Sequence, residues 1–347
     1  GVKVLFFEPP PAQRVGGLDA AITTLRTALQ ELGVEVNDQL SRSTLTDDVY
    51  AVHFHGLWQP GHIRIANECR RRGIPFVVSP HGMLEPWAWR HKAWKKWPYY
   101  YLVERRFLRS ASCVLATANS EAERLSELLP GQRIETLPLG MTADVGPDYS
   151  AARECTGWSP NELVLLFLSR IHVKKGLDLL LRALCEMPVP ADVRLVVVGG
   201  GEQSYVATLK SFVQQNAPRL PRIDWLGEIW GDERWKYFQG ADLFCLPTHS
   251  ENFGLAVLEA LQVGTPVLTT RTTPWVAYLN AERGLLADPT VESLKSSLST
   301  FLSAPRSSAL SREQTAAWAH ETFSWSQLAP RYRSLYESLV PIRSGAL

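Results

Sequence analysis

Short apolar runs alternate with longer amphipathic runs along the whole chain, and this alternation constrains the fold more than any other feature. Apolar runs separated by helical patterns are typical of βα units and parallel sheets. The strand candidates are, in order, "VKVLFF", "VYAVHFH", "IPFVVS", "SCVLATA", "RIETLPLG", "ELVLLFLS", "VRLVVVGG", "RIDWLGE", "ADLFCLP" and "TPVLTT". The pattern predicts the α/β class, with two Rossmann-like halves of similar size.

Two further segments indicate where the chain divides. The run 141–161 is polar, carries Gly and Pro and lacks a clear period, so it is predicted to be a linker. In the tail "FSWSQLAPRYRSLYESL", apolar residues recur at helical spacing and predict a closing helix with a kink at Pro330. The 347 residues also suffice for two domains. We therefore expect domains over 1–150 and 151–324, and the closing helix over 325–347.

The composition argues against some function classes. The formal net charge is +1, so no overall field favours nucleic acid as a partner. No apolar run reaches the roughly 18 residues that span a bilayer, and no secretory signal is expected. The five cysteines are scattered without C-x-x-C spacing, which predicts buried, reduced thiols and favours the cytoplasm.

Two carboxylates, Glu251 and Glu259, lie eight positions apart in "HSENFGLAVLEALQVGTPV". The pattern predicts Glu251 in a loop and Glu259 about two turns inside the following helix. Eight residues turn a helix by about 80° beyond two full turns, so the two carboxylates would not lie on one line. No further ligand stands at i+3 or i+4, so no metal site is predicted. The spacing favours two separate contacts with ligand hydroxyls near the helix N-terminus, where Gly254 permits close approach.

Cations and a histidine follow strand candidates directly. Arg170 and Lys175 flank the loop after "ELVLLFLS", where they are placed either to hold a diphosphate or to serve as ordinary surface charges. His81 follows "IPFVVS" and is interpreted as a functional residue, although a lone histidine is more often structural. Gly16 and Gly17 form either an anion-binding turn before a helix or a plain tight turn.

The segment 86–109 interleaves tryptophans and tyrosines with lysines and arginines. Aromatic rings beside cations suit a membrane interface with anionic lipid. They equally suit a phosphorylated or sugar-bearing acceptor. A solvated helix whose rings pack on the domain explains the same pattern, so the residues alone leave three interpretations open.

Together, and in this order, these motifs resemble the GT-B glycosyltransferases of family 4, retaining enzymes that use nucleotide sugars. The resemblance covers nearly the whole chain and rests on the Gly-Gly loop, "HG" after a strand, "SRIHVKKG", "VVVGGGE", "LGEI" and E-x7-E followed by "GTPV". It implies two Rossmann-like domains facing across a cleft, with a C-terminal helix that crosses back to the N-terminal domain. The "HGMLEPWAWRHKAWKK" segment is similar to a subgroup that assembles bacterial cell-surface polysaccharides.

The resemblance also implies roles for individual residues. Arg170 and Lys175 would bind the donor diphosphate and neutralise the charge on the leaving nucleotide. Glu251 would contact the donor sugar and Glu259 the ribose hydroxyls, while His81 would orient the transferred sugar. Further donor contacts are implied at Gly16, Gly17, Gly199, Gly200, Leu226, Gly227, Glu228, Ile229, Asn252, Phe253, Gly254 and Leu255. Acceptor contacts are implied at Arg14, His55, Trp58, Trp87 and Arg90. No metal is required, because the helix dipole and the cations replace it.

The expected function is therefore transfer of a hexose-type sugar from a UDP- or GDP-sugar to a saccharide acceptor, favoured as a lipid-linked one. The expected location is the cytoplasm at the inner face of the plasma membrane, with 86–109 contacting the membrane. Nucleotide-sugar epimerases share the architecture but lack this combination of the "S-R-I-x-x-x-K-G" loop with E-x7-E. A nucleotide-sugar-binding protein without turnover is the remaining alternative.

Overall fold

The structure is a computed structural model that describes residues 1–10, 17–38, 45–90 and 93–341. The chain divides into two compact units. The first unit comprises Gly1–Thr142 with Phe323–Leu347, and the second comprises Ala143–Thr322. Each unit is built on its own parallel sheet, so the predicted α/β class with two Rossmann-like halves is confirmed.

The first unit contains a six-stranded parallel sheet with the strand order β2-β1-β3-β4-β5-β6. Its strands are β1 (Lys3–Phe7), β2 (Glu35–Asp38), β3 (Ala51–His55), β4 (Phe76–Ser79), β5 (Cys113–Ala116) and β6 (Ile134–Thr136). Every residue of β3, β4 and β5 is buried, as expected for strands covered on both faces.

Helices of the first unit connect these strands. They are α1 (Leu18–Glu31), α2 (Pro60–Arg72), α3 (Pro86–Arg90), α4 (Ala93–Tyr99), α5 (Arg105–Ser110) and α6 (Asn119–Leu128). A π-helical turn, Tyr100–Glu104, joins α4 to α5. Helix α1 ends in a turn at Gly33, whose φ of 81° is the left-handed conformation that glycine adopts readily.

The second unit also contains a six-stranded parallel sheet, with the strand order β12-β11-β10-β7-β8-β9. Its strands are β7 (Leu163–Leu168), β8 (Val193–Val198), β9 (Arg222–Gly227), β10 (Leu243–Leu246), β11 (Val267–Thr270) and β12 (Gly284–Ala287). Its helices are α7 (Tyr149–Thr156), α8 (Leu177–Cys185), α9 (Gln203–Gln215), α10 (Trp235–Gly240), α11 (Leu255–Gln262), α12 (Val291–Ser303) and α13 (Ala309–Phe323). This is the strand order of a dinucleotide-type Rossmann fold.

The last described helix, α14 (Trp325–Glu337), packs on the first unit, as predicted. Its Tyr332 hydroxyl donates a hydrogen bond of 3.0 Å to the Pro138 carbonyl, and its Trp325 indole N–H donates one of 2.9 Å to Thr24 Oγ1. The helix continues through Pro330. The chain therefore returns to the first unit in its last described helix.

The segment predicted as a linker, 141–161, is not a plain linker, because α7 lies inside it. Helix α7 carries Arg153, which is buried in the second unit and forms an ion pair with Asp242 Oδ2 at 2.5 Å. The Arg153 guanidinium also donates hydrogen bonds to the carbonyls of Gly240 and Ser159. Removing one partner from such a buried pair is strongly destabilising, so this part of the segment stabilises the second unit.

Candidate functional site

Each sheet has a point where the direction of chain winding reverses, and ligands of open α/β sheets bind there, outside the carboxyl ends of the strands. In the second unit this switch point lies between β7 and β10. The loops that follow these two strands carry Arg170 and Lys175 on one side and Glu251 on the other. Topology therefore brings the predicted cations and the first predicted carboxylate to one place.

Lys175 and Glu251 form a direct ion pair, in which the Lys175 ammonium donates to Glu251 Oε1. Both side chains are mostly buried. Backbone contacts fix the two loops together, because the Lys174 carbonyl accepts a 2.8 Å hydrogen bond from the His249 N–H and a 3.1 Å bond from the Thr248 hydroxyl. The pair is thus held by the loops and not by the side chains alone.

Arg170 lies on the same loop as Lys175, immediately after β7, and its side chain is exposed. Within the described part of the chain it has no ion-pair partner. The second unit therefore presents one partnered cation and one unpartnered cation at its switch point, which is a suitable arrangement for an anionic ligand.

The loop that leads into α11 is rigidly packed. Gly254 caps the helix with φ 79°, and a Cβ there would lie 3.0 Å from Trp275 Nε1. The same indole N–H donates a 2.8 Å hydrogen bond to the Phe253 carbonyl. Phe253 and Leu255, both predicted donor contacts, have buried side chains, so only their backbone groups are suited to binding. Asn252 lies beside them in the loop and is partly exposed.

Glu259 is the fifth residue of α11, about one and a half turns inside, which is less than the two turns expected. Its side chain is 4% exposed and pairs with Arg234, whose Nη1 lies 2.6 Å from Glu259 Oε2. Burial raises the pKa of Glu259, and the charge of Arg234 opposes that shift. Sequence reasoning did not single out Arg234, because its partner lies 25 residues away on another element.

Gly199 and Gly200, predicted donor contacts, lie directly after β8. Gly199 has φ 143°, and a Cβ there would lie 1.8 Å from the Ser169 carbonyl oxygen. A Cβ on Gly200 would lie 2.8 Å from the Glu228 side chain. The close approach of the loops after β7 and β8 therefore explains the need for Gly199 without any ligand.

Four further predicted donor residues end or follow β9. Gly227 is the last residue of the strand, with φ 72°, and its carbonyl accepts a 2.8 Å hydrogen bond from the Gly199 N–H. Leu226 and Glu228 are exposed, and Ile229 is partly exposed. The loop they form continues to Trp230, whose side chain is 76% exposed.

In the first unit, His81 follows β4 and is buried. It has φ 50°, an uncommon left-handed conformation for a residue other than glycine. Burial lowers the pKa of His81 to about 4, so the ring is neutral at physiological pH. Its Nδ1 is buried and has no hydrogen-bond partner among the described residues.

His55, a predicted acceptor contact, is 1% exposed, so its side chain has almost no surface to offer a saccharide. Its Nδ1 lies 2.9 Å from His81 Nε2. Its ring also stacks on His53 at a centroid distance of 4.0 Å. His53 in turn contacts the Tyr336 hydroxyl at 2.7 Å and Ser79 Oγ at 2.6 Å. The closing helix α14 is thereby connected to His81 through two histidines, His53 and His55.

Glu121 supports the turn that holds His81, and sequence reasoning missed it. Its Oε2 accepts a 2.6 Å hydrogen bond from the Gly82 N–H, and its Oε1 accepts a 2.8 Å bond from the Thr117 N–H. Burial raises the pKa of Glu121 to about 7, against these two hydrogen bonds. The cap of α6 is Ala118, which lacks the hydroxyl of a capping box, so no local motif marks Glu121.

The remaining predicted contacts lie in or near the first unit's loops. Gly17 caps α1 with φ 79°, and the first turn of this helix carries the acidic residue Asp19. Trp58 has φ 65°, and its ring faces the Lys96 ammonium at 5.9 Å. Trp87 is partly exposed and Arg90 is exposed, both on α3. Arg14 and Gly16 lie outside the described residues.

The described ranges contain neither a candidate metal site nor a candidate membrane-spanning helix. No three His, Cys, Asp or Glu side chains in those ranges are grouped so as to hold a metal ion. Over the same ranges, no helix combines the length and the apolar character needed to cross a bilayer.

Two family models match the chain. The model "Glycosyl transferases group 1" matches residues 148–318, and the model "Glycosyl transferase 4-like domain" matches residues 1–140. Together they account for most of both units.

Individual proteins are also similar. The chain is 32% identical to a D-inositol 3-phosphate glycosyltransferase of Segniliparus rotundus over 70% of its own length, and it spans 56% of that protein. It is 27% identical, over 90% of its length and 75% of the other's, to a GDP-mannose-dependent alpha-(1-6)-phosphatidylinositol dimannoside mannosyltransferase of Mycobacterium tuberculosis. The chain thus spans about half the length of the first relative. The match alone does not assign the activity of that relative to this chain.

Among solved structures, Anabaena HepE in complex with UDP and glucose has a TM-score of 0.74. The likeness covers 98% of this chain and 100% of that one, at 19% sequence identity. At that identity it shows a shared fold alone.

Proposed function

The chain belongs to the family 4, group 1 glycosyltransferases, a family of hexosyl-transferring enzymes with the GT-B fold, and from this premise we propose that it transfers a hexose from a UDP- or GDP-sugar to a saccharide acceptor with retention of configuration. The observation that carries the proposal is the Lys175–Glu251 ion pair at the switch point of the second sheet. A cation and a carboxylate at that point match the two chemical parts of a nucleotide sugar, its diphosphate and its hydroxyls.

Similar proteins support a nucleotide-sugar donor. HepE was crystallised with UDP and glucose, and the Mycobacterium tuberculosis relative is named as GDP-mannose-dependent. Proteins similar to this chain therefore include one crystallised with a uracil nucleotide and one named for a guanine nucleotide.

The donor-binding roles follow from charge and position. Lys175 and the exposed Arg170 bind the diphosphate and neutralise the charge that develops as the nucleotide leaves. Glu251, held beside Lys175, accepts hydrogen bonds from the hydroxyls of the transferred sugar. Glu259, inside α11, accepts from the ribose hydroxyls. The backbone at the start of α11 adds the partial positive charge of a helix N-terminus.

The mechanism needs no carboxylate nucleophile. The acceptor hydroxyl attacks the face from which the nucleotide leaves, the glycosidic bond to phosphate breaks, and a phosphate oxygen of the leaving group takes the hydroxyl proton. This differs from a retaining glycosidase, in which a protein carboxylate forms a covalent intermediate. The neutral ring of His81 orients the transferred sugar. The charge of the leaving group is carried by cations, so the reaction proceeds without a metal ion.

The acceptor is a lipid-linked saccharide in bacterial cell-surface polysaccharide synthesis, reached at the inner face of the plasma membrane. Support comes from the aromatic and basic segment, 86–109. Trp97 and Tyr101 are 47% and 49% exposed, their ring centroids lie 5.0 Å apart, and the neighbouring Leu102 is 76% exposed. Exposed rings beside lysines and arginines suit the headgroup region of an anionic membrane. The Mycobacterium tuberculosis relative, named for a phosphatidylinositol dimannoside, supports the lipid-linked class.

A two-stage experiment tests the proposal. Thermal unfolding with UDP, GDP and their glucose, galactose and mannose forms identifies the donor, because a ligand that binds only the folded state raises the unfolding temperature. The labelled donor is then incubated with acceptor lipids. Nucleotide release with a new glycoside supports the transferase, isomerised sugar indicates an epimerase, and binding without turnover indicates a binding protein.

A further inference from the structure

Arg234 lies in the second unit, outside the sequence motifs to which the family resemblance gives a role. It is the last residue of a 3-10 turn, Gly231–Arg234, which follows the loop after β9 and leads into α10. Its side chain is 25% exposed, and its Nη1 donates a 2.6 Å hydrogen bond to Glu259 Oε2. The partly exposed guanidinium of Arg234 thus pairs with the almost fully buried carboxylate of Glu259.

The same guanidinium makes two further contacts. Its Nε donates a 3.2 Å hydrogen bond to the Gly231 carbonyl, at the end of the loop after β9. Its central carbon lies 5.3 Å from the ring centroid of Trp235, the first residue of α10. These contacts fix the guanidinium in position, so Arg234 links the loop after β9 to a side chain of α11.

The chemistry of Glu259 explains why this link matters. An ionised carboxylate only accepts hydrogen bonds, as hydroxyl donors require, whereas a protonated one also donates. Burial favours the protonated form, and a nearby cation favours the ionised form. Arg234 occupies Oε2 of Glu259, and the carboxylate retains further lone pairs at Oε1 for a ligand hydroxyl.

We propose that Arg234 is a positioning residue for nucleotide binding, which holds Glu259 as an oriented, ionised acceptor for the ribose hydroxyls and ties it to the loop after β9. The inference rests on the proposed function, because it assumes that the second unit binds a nucleotide. Loss of Arg234 then weakens recognition of the ribose specifically, and leaves contacts with the diphosphate in place.

Binding of UDP, GDP and their 2′-deoxy and 3′-deoxy forms tests this by calorimetry. The wild-type protein is expected to bind the preferred ribonucleotide about tenfold or more tightly than at least one deoxy form, as a hydrogen bond to a charged group implies. In Arg234→Leu the preference falls below about threefold, because the ribonucleotide loses affinity and the deoxy form does not. Arg234→Lys, which keeps the charge, recovers part of the preference. Arg222→Leu is the matched control, since Arg222 also pairs with a carboxylate of the second unit but is exposed at the start of β9.

The outcomes separate the inference from the proposed function. A wild-type protein that binds neither UDP nor GDP contradicts the proposed function. A wild-type preference for the ribose that persists at full size in Arg234→Leu overturns the role of Arg234 and leaves the proposed function standing. The absence of any ribose preference in the wild type also overturns this role. If Arg234→Leu unfolds, Arg234→Gln and Arg234→Lys provide the same comparison, with thermal unfolding as the check of the fold.

Discussion

His55 Nδ1 lies 2.9 Å from His81 Nε2, with the two ring planes within 12° of parallel. Burial lowers the pKa of both rings, so both are neutral, and one nitrogen of the pair must donate while the other accepts. The tautomers of His55 and His81 are therefore coupled, and this coupling sets whether His81 Nδ1 donates or accepts. His55 lies at the end of β3, and β3 pairs with β4 in the sheet, which places His55 beside the turn that carries His81.

Replacing His55 with Leu should slow sugar transfer about tenfold, with little change in donor affinity. The cause is the loss of one hydrogen bond that orients His81, which corresponds to about 1.4 kcal/mol in the barrier. The measurement is kcat and donor Kd for the variant, with ¹⁵N histidine shifts to follow the His81 tautomer. His62→Gln is the control, because His62 is a buried histidine of the same unit that packs on Phe54. Equal losses in both variants would contradict the role of His55.

The Lys175–Glu251 pair yields a second prediction. Lys175→Ala should lower kcat/KM by about 10²–10³, the cost of removing one group that stabilises developing charge. Glu251→Gln should also lower it, and the double variant should lose much less than the product of the two losses, because the two residues act together. Lys295→Ala on α12, which breaks an exposed pair with Glu292, is the control. The prediction is wrong if Lys175→Ala retains more than a tenth of wild-type kcat/KM while remaining folded.

The exposed rings of the segment 86–109 predict vesicle binding. Sedimentation with vesicles that contain phosphatidylglycerol should show binding by the wild type, and Trp97→Ser combined with Tyr101→Ser should reduce it about tenfold or more, because the rings no longer enter the headgroup region. Trp230→Ser is the matched control, since Trp230 is an exposed tryptophan of the other unit. A wild type that stays in the supernatant at low salt would rule out this surface as a membrane contact.

The interior strands, the edge strands β6 and β9 and the long helices could be predicted from the sequence. Strands β2 and β12 were missed, and each is at an edge of its sheet. Strand β2 reads "EVND", in which Asn and Asp are poor strand formers, and β12 is a four-residue strand that starts with glycine. Strands β6 and β9 also lie at edges and were predicted, so the short length and the composition of β2 and β12 explain why these two were missed.

The candidate site was predictable where function lies in a local motif. Lys175 and Glu251 were found because each follows a strong strand and the parallel topology brings such ends together. Arg234 and His53 were not found, because their significance depends on partners 25 and 283 positions away. Long-range contacts of this kind depend on the packing of several elements, and no local pattern encodes them.

A pH-dependent stability follows from His62. Burial lowers the pKa of His62 to about 4, so between pH 6.5 and about 4 the unfolded chain binds a proton that the folded protein does not. Stability from this residue is therefore complete above pH 6.5 and falls as the pH falls through that window. Glu104 and Glu121 act in the opposite sense, because burial raises their pKa to about 7 and the folded protein holds their protons more tightly below that pH. In the pH dependence of the free energy of unfolding, the contributions of His62 and of the two glutamates therefore partly cancel.

The variant His62→Gln removes the contribution of His62 to this pH dependence. Between pH 7 and pH 5, its free energy of unfolding should fall by about 2 kcal/mol less than that of the wild type. This figure corresponds to one proton over the 1.5 pH units between about pH 6.5 and pH 5. Urea unfolding at the two pH values measures the difference. His172→Gln, in which an exposed ring is replaced, should follow the wild type. Parallel pH profiles for His62→Gln and the wild type would contradict this prediction.

Gly199→Ala tests whether that glycine serves the fold or the donor. A Cβ at Gly199 would lie 1.8 Å from the Ser169 carbonyl oxygen, and its φ of 143° is unfavourable for alanine, so the loops after β7 and β8 must separate. We expect a loss of about 3 kcal/mol or more in the free energy of unfolding. Gly157→Ala is the matched control, because Gly157 has φ 72° with open space around it and should cost only about 1 kcal/mol. If Gly199→Ala instead keeps its stability and loses only nucleotide affinity, then Gly199 contacts the donor, as its motif suggested, and the loops tolerate the added methyl group.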